Sequence, residues 1–250
     1  GICAEISCSN LESQRVRSGT DCFTQGPAMS AEDCKAALAI GAKAVSRQNA
    51  IQAIILGEIG IGNTTTAASL IAAFTGKDPV SICGKGTGLD AAGIERKVAI
   101  VNRALTKHKL IVDAVQKLEE SERYDKVMSV LSALGGLEIA AMTGAILEAH
   151  AKGIAVLVDG YIATAAALVA VRADPKVAKA LFLATWSSEP GHKVAIEGLS
   201  QELETPLCKP ALDMNLGLGE GTGAVLAYPI LRGAAAIATE MMTLDAALKL

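Results

Sequence analysis

The stretch that most constrains the fold is Gly153 to Val171, "GIAVLVDGYIATAAALVAV". It is nearly long and apolar enough for a membrane span, yet Asp159-Gly160 interrupts it at the centre. β-Branched residues precede the interruption and Ala-rich helix formers follow it. Strand, tight turn and helix account for both halves better than a span does. The same order recurs where "AIQAIILGE" runs into "IGIGNTTTAASLIAAF". Alternation of this kind predicts parallel strands joined by right-handed helical crossovers.

Composition agrees. Of 250 residues, 51% are hydrophobic and only 3% aromatic, so the apolar content is Ala, Ile, Leu and Val. That suits a buried parallel sheet with small residues between closely packed helices. The length suffices for one large domain, or one domain with a small cap. A formal net charge of −3 with no Lys/Arg run argues against a nucleic-acid partner. Cysteines at 3, 8, 22, 34, 83 and 208 form no CxxC pair, and His108, His150 and His192 are isolated. No metal is expected, and the thiols read as free in a reducing cytoplasm. No signal peptide is visible. The chain starts at Gly1, and "GICAEIS" reads as the end of a strand, so a fragment or a processed chain is expected.

Along the chain, Ser30 followed by Glu32 and Asp33 predicts a helix start, with the helix reaching about Gln48. "PVSICG" reads as a short strand. "LDAAGIERKVAIVNRALTKH" is helical, with an apolar stripe of Ile94, Val98, Val101 and Leu105. Lys117 to Lys126 is a solvated face or loop. "LGGLEIAAMTGAILEAHAKG" is a helix closed by Gly153, and "KALFLATW" is a further strand. The fold class is α/β: a mostly parallel, Rossmann-like sheet flanked by helices, with a small helical cap region. One domain spans 1–250, and 1–30 and 237–250 are peripheral to it.

In such sheets ligands bind at the carboxyl ends of the strands, where this chain places loops rich in Gly and hydroxyl groups. Gly57-Glu58-Ile59-Gly60-Ile61-Gly62-Asn63-Thr64-Thr65-Thr66 is either an anion site at a helix N-terminus or a tight turn capped by Asn63 or a neighbouring Thr. It is not a Walker A loop, and Thr65 stands where the dinucleotide fingerprint needs a third Gly. Gly84-Lys85-Gly86-Thr87-Gly88 is a second place for a phosphate or ribose to meet bare backbone. Lys97 is either a surface lysine or a point charge for that phosphate. Asp159-Gly160 either binds a sugar hydroxyl or caps the next helix. In Ser187-Ser188-Glu189-Pro190-Gly191-His192, His192 reads as a loop or packing residue. No Gly-x-Ser-x-Gly elbow is present.

These loops together predict a site for a nucleotide monophosphate or sugar phosphate. Glu58 and Glu220 sit in glycine turns beside it, Glu220 between Gly219 and Gly221 in "DMNLGLGEGTGAVLAYPIL". A carboxylate so placed suits general-base chemistry. Ile59, Ile61 and Leu218 flank the two glutamates, and an apolar surround from them would raise a carboxylate pKa by desolvation.

Five blocks in order, "LGEIGIGNTTTAASL", "LGGLEIAAMTGAILEAH", "VLVDGYIATAAALVA", "SSEPGHK" and "LGLGEGTGAVLAYPIL", resemble the nicotinate-nucleotide–dimethylbenzimidazole phosphoribosyltransferase family of cobalamin lower-ligand assembly. The resemblance runs from about Val16 to Ala236. It implies transfer of phosphoribose from nicotinate mononucleotide to a benzimidazole nitrogen, giving an α-riboside phosphate and nicotinate, without cofactor or metal. By the same match Glu220 is the catalytic base and Glu58 a second acidic residue of the site. Gly60, Gly84, Gly86, Lys97 and Ser187 become the mononucleotide-binding set, with Ile59, Ile61, Asp159, Gly160, Leu218 and Gly219 around them.

The chain departs from the family pattern in places. The family carries a segment ahead of "GICAEIS" that includes early strands and part of the base pocket. Gly217 stands where the family usually has Arg, and "GKGTG" varies from the commoner loop. The acceptor expected is a benzimidazole, another azole, a purine or a phenol. The alternative is a non-catalytic or partner-dependent nucleotide-binding subunit of a heteromeric phosphoribosyltransferase. An NAD-dependent oxidoreductase is disfavoured by the absent fingerprint. An unpaired apolar sheet edge would make a monomer unstable or associating, so a homodimer, or a heterodimer with a paralogous subunit, is expected.

Overall fold

The computed structural model describes residues 8–9, 11–201, 203 and 209–248. The strand end expected in residues 1–7 lies outside them, as do Cys3 and Cys208. In chain order the regular elements are α1 (Ala31–Ser46), β1 (Ala53–Leu56), α2 (Asn63–Thr75), α3 (Ala91–Lys107), α4 (Lys109–Ala114), α5 (Arg123–Leu134), α6 (Leu137–Ala151), β2 (Ala155–Val158), α7 (Gly160–Ala173), β3 (Leu181–Leu183), α8 (Pro190–Ser200), α9 (Thr222–Glu240) and α10 (Leu244–Ala247). The three strands form one parallel sheet in the order β1-β2-β3. Ile54 pairs in register with Val156, and Val156 with Leu181. The alternation expected from Gly153–Val171 is therefore the frame of the molecule.

Alternate strand residues face opposite ways, and each set has its own cover. Ile54, Leu56, Val156, Val158, Leu181 and Leu183 belong to the main core, built on α7. Ile55 and Leu157 join Ala184, Ala224 and Ala227 in a smaller cluster under α9. Every residue of α7 from Tyr161 to Ala173 is buried, and α2, α5, α6 and α8 pack around it. Its run of alanines permits this, because small side chains let four neighbours approach one axis. Each fully buried Leu or Ile, such as Leu70, Ile146 and Leu168, contributes roughly 1.5–3 kcal/mol.

Local signals set most helix ends. Ser30 accepts the Asp33 N–H at 3.0 Å and starts α1, and Asp90 accepts the Gly93 N–H at 2.7 Å and starts α3. Val101 of the α3 stripe is fully buried, with Ile94, Val98 and Leu105 packed against the core. Two expectations need correction. "PVSICG" is not a strand: Pro79–Ser81 is a 3₁₀ turn, because Asp78 accepts the Val80 N–H at 2.9 Å and Pro79 has no N–H to give a ladder. Nor does Asn63 or a threonine cap α2. The cap is Gly62, left-handed at φ 84°, with no side-chain bond.

Helix α9 is mostly uncovered, with Val225, Leu226, Ile230 and Ile237 exposed. Among the described residues it is the one helix long and apolar enough to cross a membrane, at 19 residues and mean hydropathy 1.2. Pro229 and Arg232 interrupt it, and Ala224 and Ala227 hold it to the sheet.

Helices α1 and α6 cross at glycine. A Cβ on Gly144 would lie 2.0 Å from the Leu38 carbonyl oxygen, and one on Gly41 would lie 1.7 Å from that of Ala141. Helix backbone cannot yield so far, so Gly144→Ala is expected to destabilise the protein by about 3 kcal/mol in urea titration. Gly233→Ala in α9, where a Cβ meets nothing within 4 Å, is the control. It is expected to be neutral or to stabilise by up to about 1 kcal/mol. Equal midpoints for the two variants would contradict the crossing described.

Candidate active site

The carboxyl ends of β1, β2 and β3 open into a cavity of about 240 Å³. The β1–α2 loop brings Glu58, Gly60, Asn63 and Thr64 to it, and the glycine loop after Ser81 brings Gly86 and Thr87. The β2–α7 turn brings Asp159, Gly160 and Tyr161. The segment after β3 brings Trp186, Ser187 and Glu189, and the turn before α9 brings Gly217, Leu218, Gly219 and Glu220. Segments separated by up to about 160 positions in sequence thus share one wall. Of the residues expected at the site, Glu58, Gly60, Gly86, Asp159, Gly160, Ser187, Leu218, Gly219 and Glu220 line the cavity.

Gly84 and Lys97 stand behind it. Lys97 is 3% exposed, so it is no surface lysine. Its Nζ donates to the Gly84 carbonyl at 3.1 Å, from beneath the Gly84–Gly88 loop. Ile59 and Ile61 are corrected: at 86% and 104% exposed they project into solvent, and Leu218 is 64% exposed. They form no apolar surround for the glutamates. The Glu58 carboxyl is nonetheless held above its ordinary range, first by its own burial and then by the negative charges of Glu138 and Glu220. A hydrogen bond from Asn63 Nδ2, at 2.5 Å to Glu58 Oε2, acts against that rise. Asn63 is therefore engaged by Glu58 rather than by the helix end.

Glu220 adopts a left-handed conformation at φ 62°, followed by Gly221 at φ 84°. The turn lies hard against the strand ends. A Cβ on Gly57 would sit 2.5 Å from the backbone of Glu220, and one on Gly223 would sit 2.4 Å from the Thr185 side chain. Asp159 fixes the turn. Its Oδ2 accepts the Gly221 N–H at 3.0 Å and its Oδ1 the Ala224 N–H at 3.1 Å. Asp159 makes no side-chain cap on its own helix, α7; it caps α9, whose first turn has backbone donors to satisfy. Burial pushes its carboxyl up, while the N–H groups of Gly221, Ala224 and Gly223 pull it down.

His192 joins two parts of the wall. It is 1% exposed, and its Nδ1 accepts the Ser187 N–H at 3.1 Å. The ring proton is then on Nε2, which donates to Thr164 Oγ1 at 3.0 Å, and the Thr164 hydroxyl donates to the Gly160 carbonyl at 2.5 Å. The chain of bonds ties the loop after β3 to the first turn of α7. Burial lowers the His192 pKa to about 4, so it serves as a neutral brace. Sequence reasoning placed Asn63, Thr64 and Glu189 in candidate loops but gave them, like Tyr161 and Trp186, no site role of their own. Glu189 had a signal, being a carboxylate in the same loop as Ser187, three residues before His192.

A histidine held neutral when folded gains its proton more easily when unfolded. The stability His192 confers is whole above about pH 6.5 and is lost as pH falls toward about 4. Melting temperature is expected to drop across that window more steeply for the wild type than for His192→Gln, whose amide carries no titrating proton. Parallel slopes would show that the imidazole is not held neutral.

A family model described as "Phosphoribosyltransferase" matches residues 2–248. A nicotinate-nucleotide–dimethylbenzimidazole phosphoribosyltransferase of Desulforamulus reducens is 41% identical over 237 residues, 94% of this chain and 62% of that protein. One from Pseudomonas aeruginosa is 43% identical over 231 residues, 92% of this chain and 60% of that one. The chain thus spans about 60% of the length of these curated relatives. The solved structure of CobT from Thermus thermophilus superposes with a TM-score of 0.85 at 37% identity, covering 99% of this chain and 69% of the other. Sequence match over nearly the whole chain, and the same fold, agree with the five motif blocks: the chain belongs to the nicotinate-nucleotide–dimethylbenzimidazole phosphoribosyltransferase family.

Proposed function

We propose that this chain catalyses transfer of phosphoribose from nicotinate mononucleotide to 5,6-dimethylbenzimidazole or a related lower-ligand base, with Glu220 as general base. The observation that carries the proposal is the setting of Glu220: a carboxylate in a constrained left-handed turn, lining one cavity with Glu58 and with residues of two glycine loops. The azole nitrogen attacks the anomeric carbon of the ribose, and the bond from that carbon to the pyridinium nitrogen breaks. Nicotinate leaves with the bonding electron pair, and the azole N–H proton passes to the Glu220 carboxylate. Attack opposite the leaving group inverts the anomeric centre and gives the α-riboside.

The negative pair of Glu58 and Glu220 favours a cationic ring over a neutral one at the donor position, which suits a pyridinium leaving group. The Gly86 N–H, which a carboxylate oxygen of Glu189 accepts in the ligand-free protein, and the buried ammonium of Lys97 beneath its loop suit the 5′-phosphate. Ser187 and Gly160, braced by His192 and Thr164, form the wall on the ribose side. Association, with a second copy or a related subunit, belongs to the same proposal and is supported by the apolar residues that α9 leaves exposed.

The test is nicotinate release from nicotinate mononucleotide with and without 5,6-dimethylbenzimidazole. Glu220→Ala is expected to bind the mononucleotide as the wild type does and to lose roughly 10²–10⁴-fold in turnover, the range for removing a positioned base. Undiminished turnover in the variant would reject Glu220 as the base.

A further inference from the structure

Two polar atoms at the cavity wall are buried without a hydrogen-bond partner: the Tyr161 hydroxyl and Glu189 Oε2. The other carboxylate oxygen, Glu189 Oε1, accepts the Gly86 N–H at 2.8 Å. Glu189 reaches Gly86 across 103 positions of sequence, and the fit is close. A Cβ on Gly84 would lie 2.6 Å from Glu189 Oε2 and 2.5 Å from Pro190 Cδ. An anion is thus already seated on the glycine loop, and it belongs to the protein.

The seat is poorly matched to this anion. Lys97 lies under the same loop, buried, with Nζ on the Gly84 carbonyl. Among the described residues none of the ion pairs within 4.0 Å includes it. A buried ammonium without a counter-ion is costly, as is a buried carboxylate oxygen without a donor. Glu189 satisfies Gly86 and leaves both costs in place. A phosphate carries three terminal oxygens and can engage the Gly86 N–H and Lys97 together. A displaced Glu189 carboxylate has somewhere to go: it is only partly buried, and the unpartnered Tyr161 hydroxyl on the same wall is an available donor.

We propose that the Glu189 carboxylate is an internal occupant of the Gly84–Gly88 cradle, seated on the Gly86 N–H in the ligand-free protein and displaced by the phosphate of an incoming mononucleotide. The proposal rests on the reading of this loop as the phosphate site. It makes Glu189 a specificity-determining residue, because only an anion that engages Gly86 and Lys97 at once outcompetes a tethered carboxylate. Phosphorylated donors would be admitted and free nucleosides refused.

Calorimetric titration of the 250-residue chain with inorganic phosphate, and then with nicotinate mononucleotide, tests this. The proteins compared are the wild type, Glu189→Gln and Glu189→Ala, each checked for cooperative thermal unfolding. Removing one competing like charge is expected to tighten phosphate binding roughly tenfold in both variants. Equal or weaker binding in both, with wild-type binding intact, would overturn the role of Glu189 and leave the phosphate site standing. No binding of either ligand to any of the three folded proteins would overturn both readings. The wild type alone gives a second readout. Its Gly86 amide resonance is expected to move in step with phosphate saturation, and an amide that stays in place while phosphate binds would refute displacement.

Discussion

Asp159 stands at the end of β2, and both of its carboxylate oxygens accept N–H groups from the first turn of α9. Two segments about sixty residues apart are joined there by charge-assisted bonds, which are roughly twice as strong as neutral ones. The carboxylate also meets the positive end of the α9 dipole. That end of the helix is also packed on Gly57 and Thr185, whereas much of α9 beyond it is uncovered and meets the sheet through Ala224, Ala227 and Leu231. Where α9 begins determines where Glu220 sits, since Glu220 is the residue immediately before the Gly221 cap. The base of the proposed reaction is therefore positioned from the sheet by another carboxylate.

The two halves of the wall are built differently. On the side of β2 and β3, the Ser187–His192–Thr164–Gly160 chain is hydrogen-bonded throughout about the buried His192 and Thr164, and such a network holds one geometry. On the side of the Gly84–Gly88 loop, a carboxylate oxygen and a phenol lack partners and, among the described residues, a lysine lacks a counter-ion. The first half suits fixed placement of a sugar between rigid groups. The second suits exchange of one anion for another. Ile59, Ile61 and Leu218 are exposed, and the carboxyls of Glu58 and Asp159 owe their shifts first to burial in the protein wall.

The parts of this structure legible in the sequence are those set by neighbours in the chain. The strand, turn and helix of Gly153–Val171 follow from adjacent residue types, as do the caps at Ser30 and Asp90 and the stripe of α3. Glu220 is legible because a carboxylate between two glycines is itself local. The misreadings have long-range causes, or turn on which of several local partners a side chain takes. Asn63 looks like a cap, yet Glu58 claims its amide. Asp159 looks like the cap of α7, yet the donors it finds are those of α9. Lys97 looks like a surface residue until the Gly84 loop folds over it. Ile59 and Ile61 fail for a simpler reason: apolar type predicts burial on average, and a glycine-rich loop at a cavity mouth has one inner face, which Glu58 and Asn63 occupy.

Glu220 also shows what the flanking glycines accomplish. A residue with a Cβ in the left-handed region costs about 1–2 kcal/mol relative to helical or extended backbone. Gly219 has open space where its Cβ would be, and Gly221 accepts φ 84° without strain. Within this turn the unfavourable conformation is thereby confined to one residue, the glutamate that lines the cavity. That conformation persists because both sides of it are over-determined: Gly57 packs directly on the Glu220 backbone, and Asp159 anchors the next N–H. A glycine at 220 would relax the backbone but remove the carboxylate, and an unanchored glutamate would rotate toward the allowed regions and leave the cavity wall. The strain is stable only while Asp159 and the strand end hold it, which is why the geometry of the site and the attachment of α9 to the sheet cannot be separated.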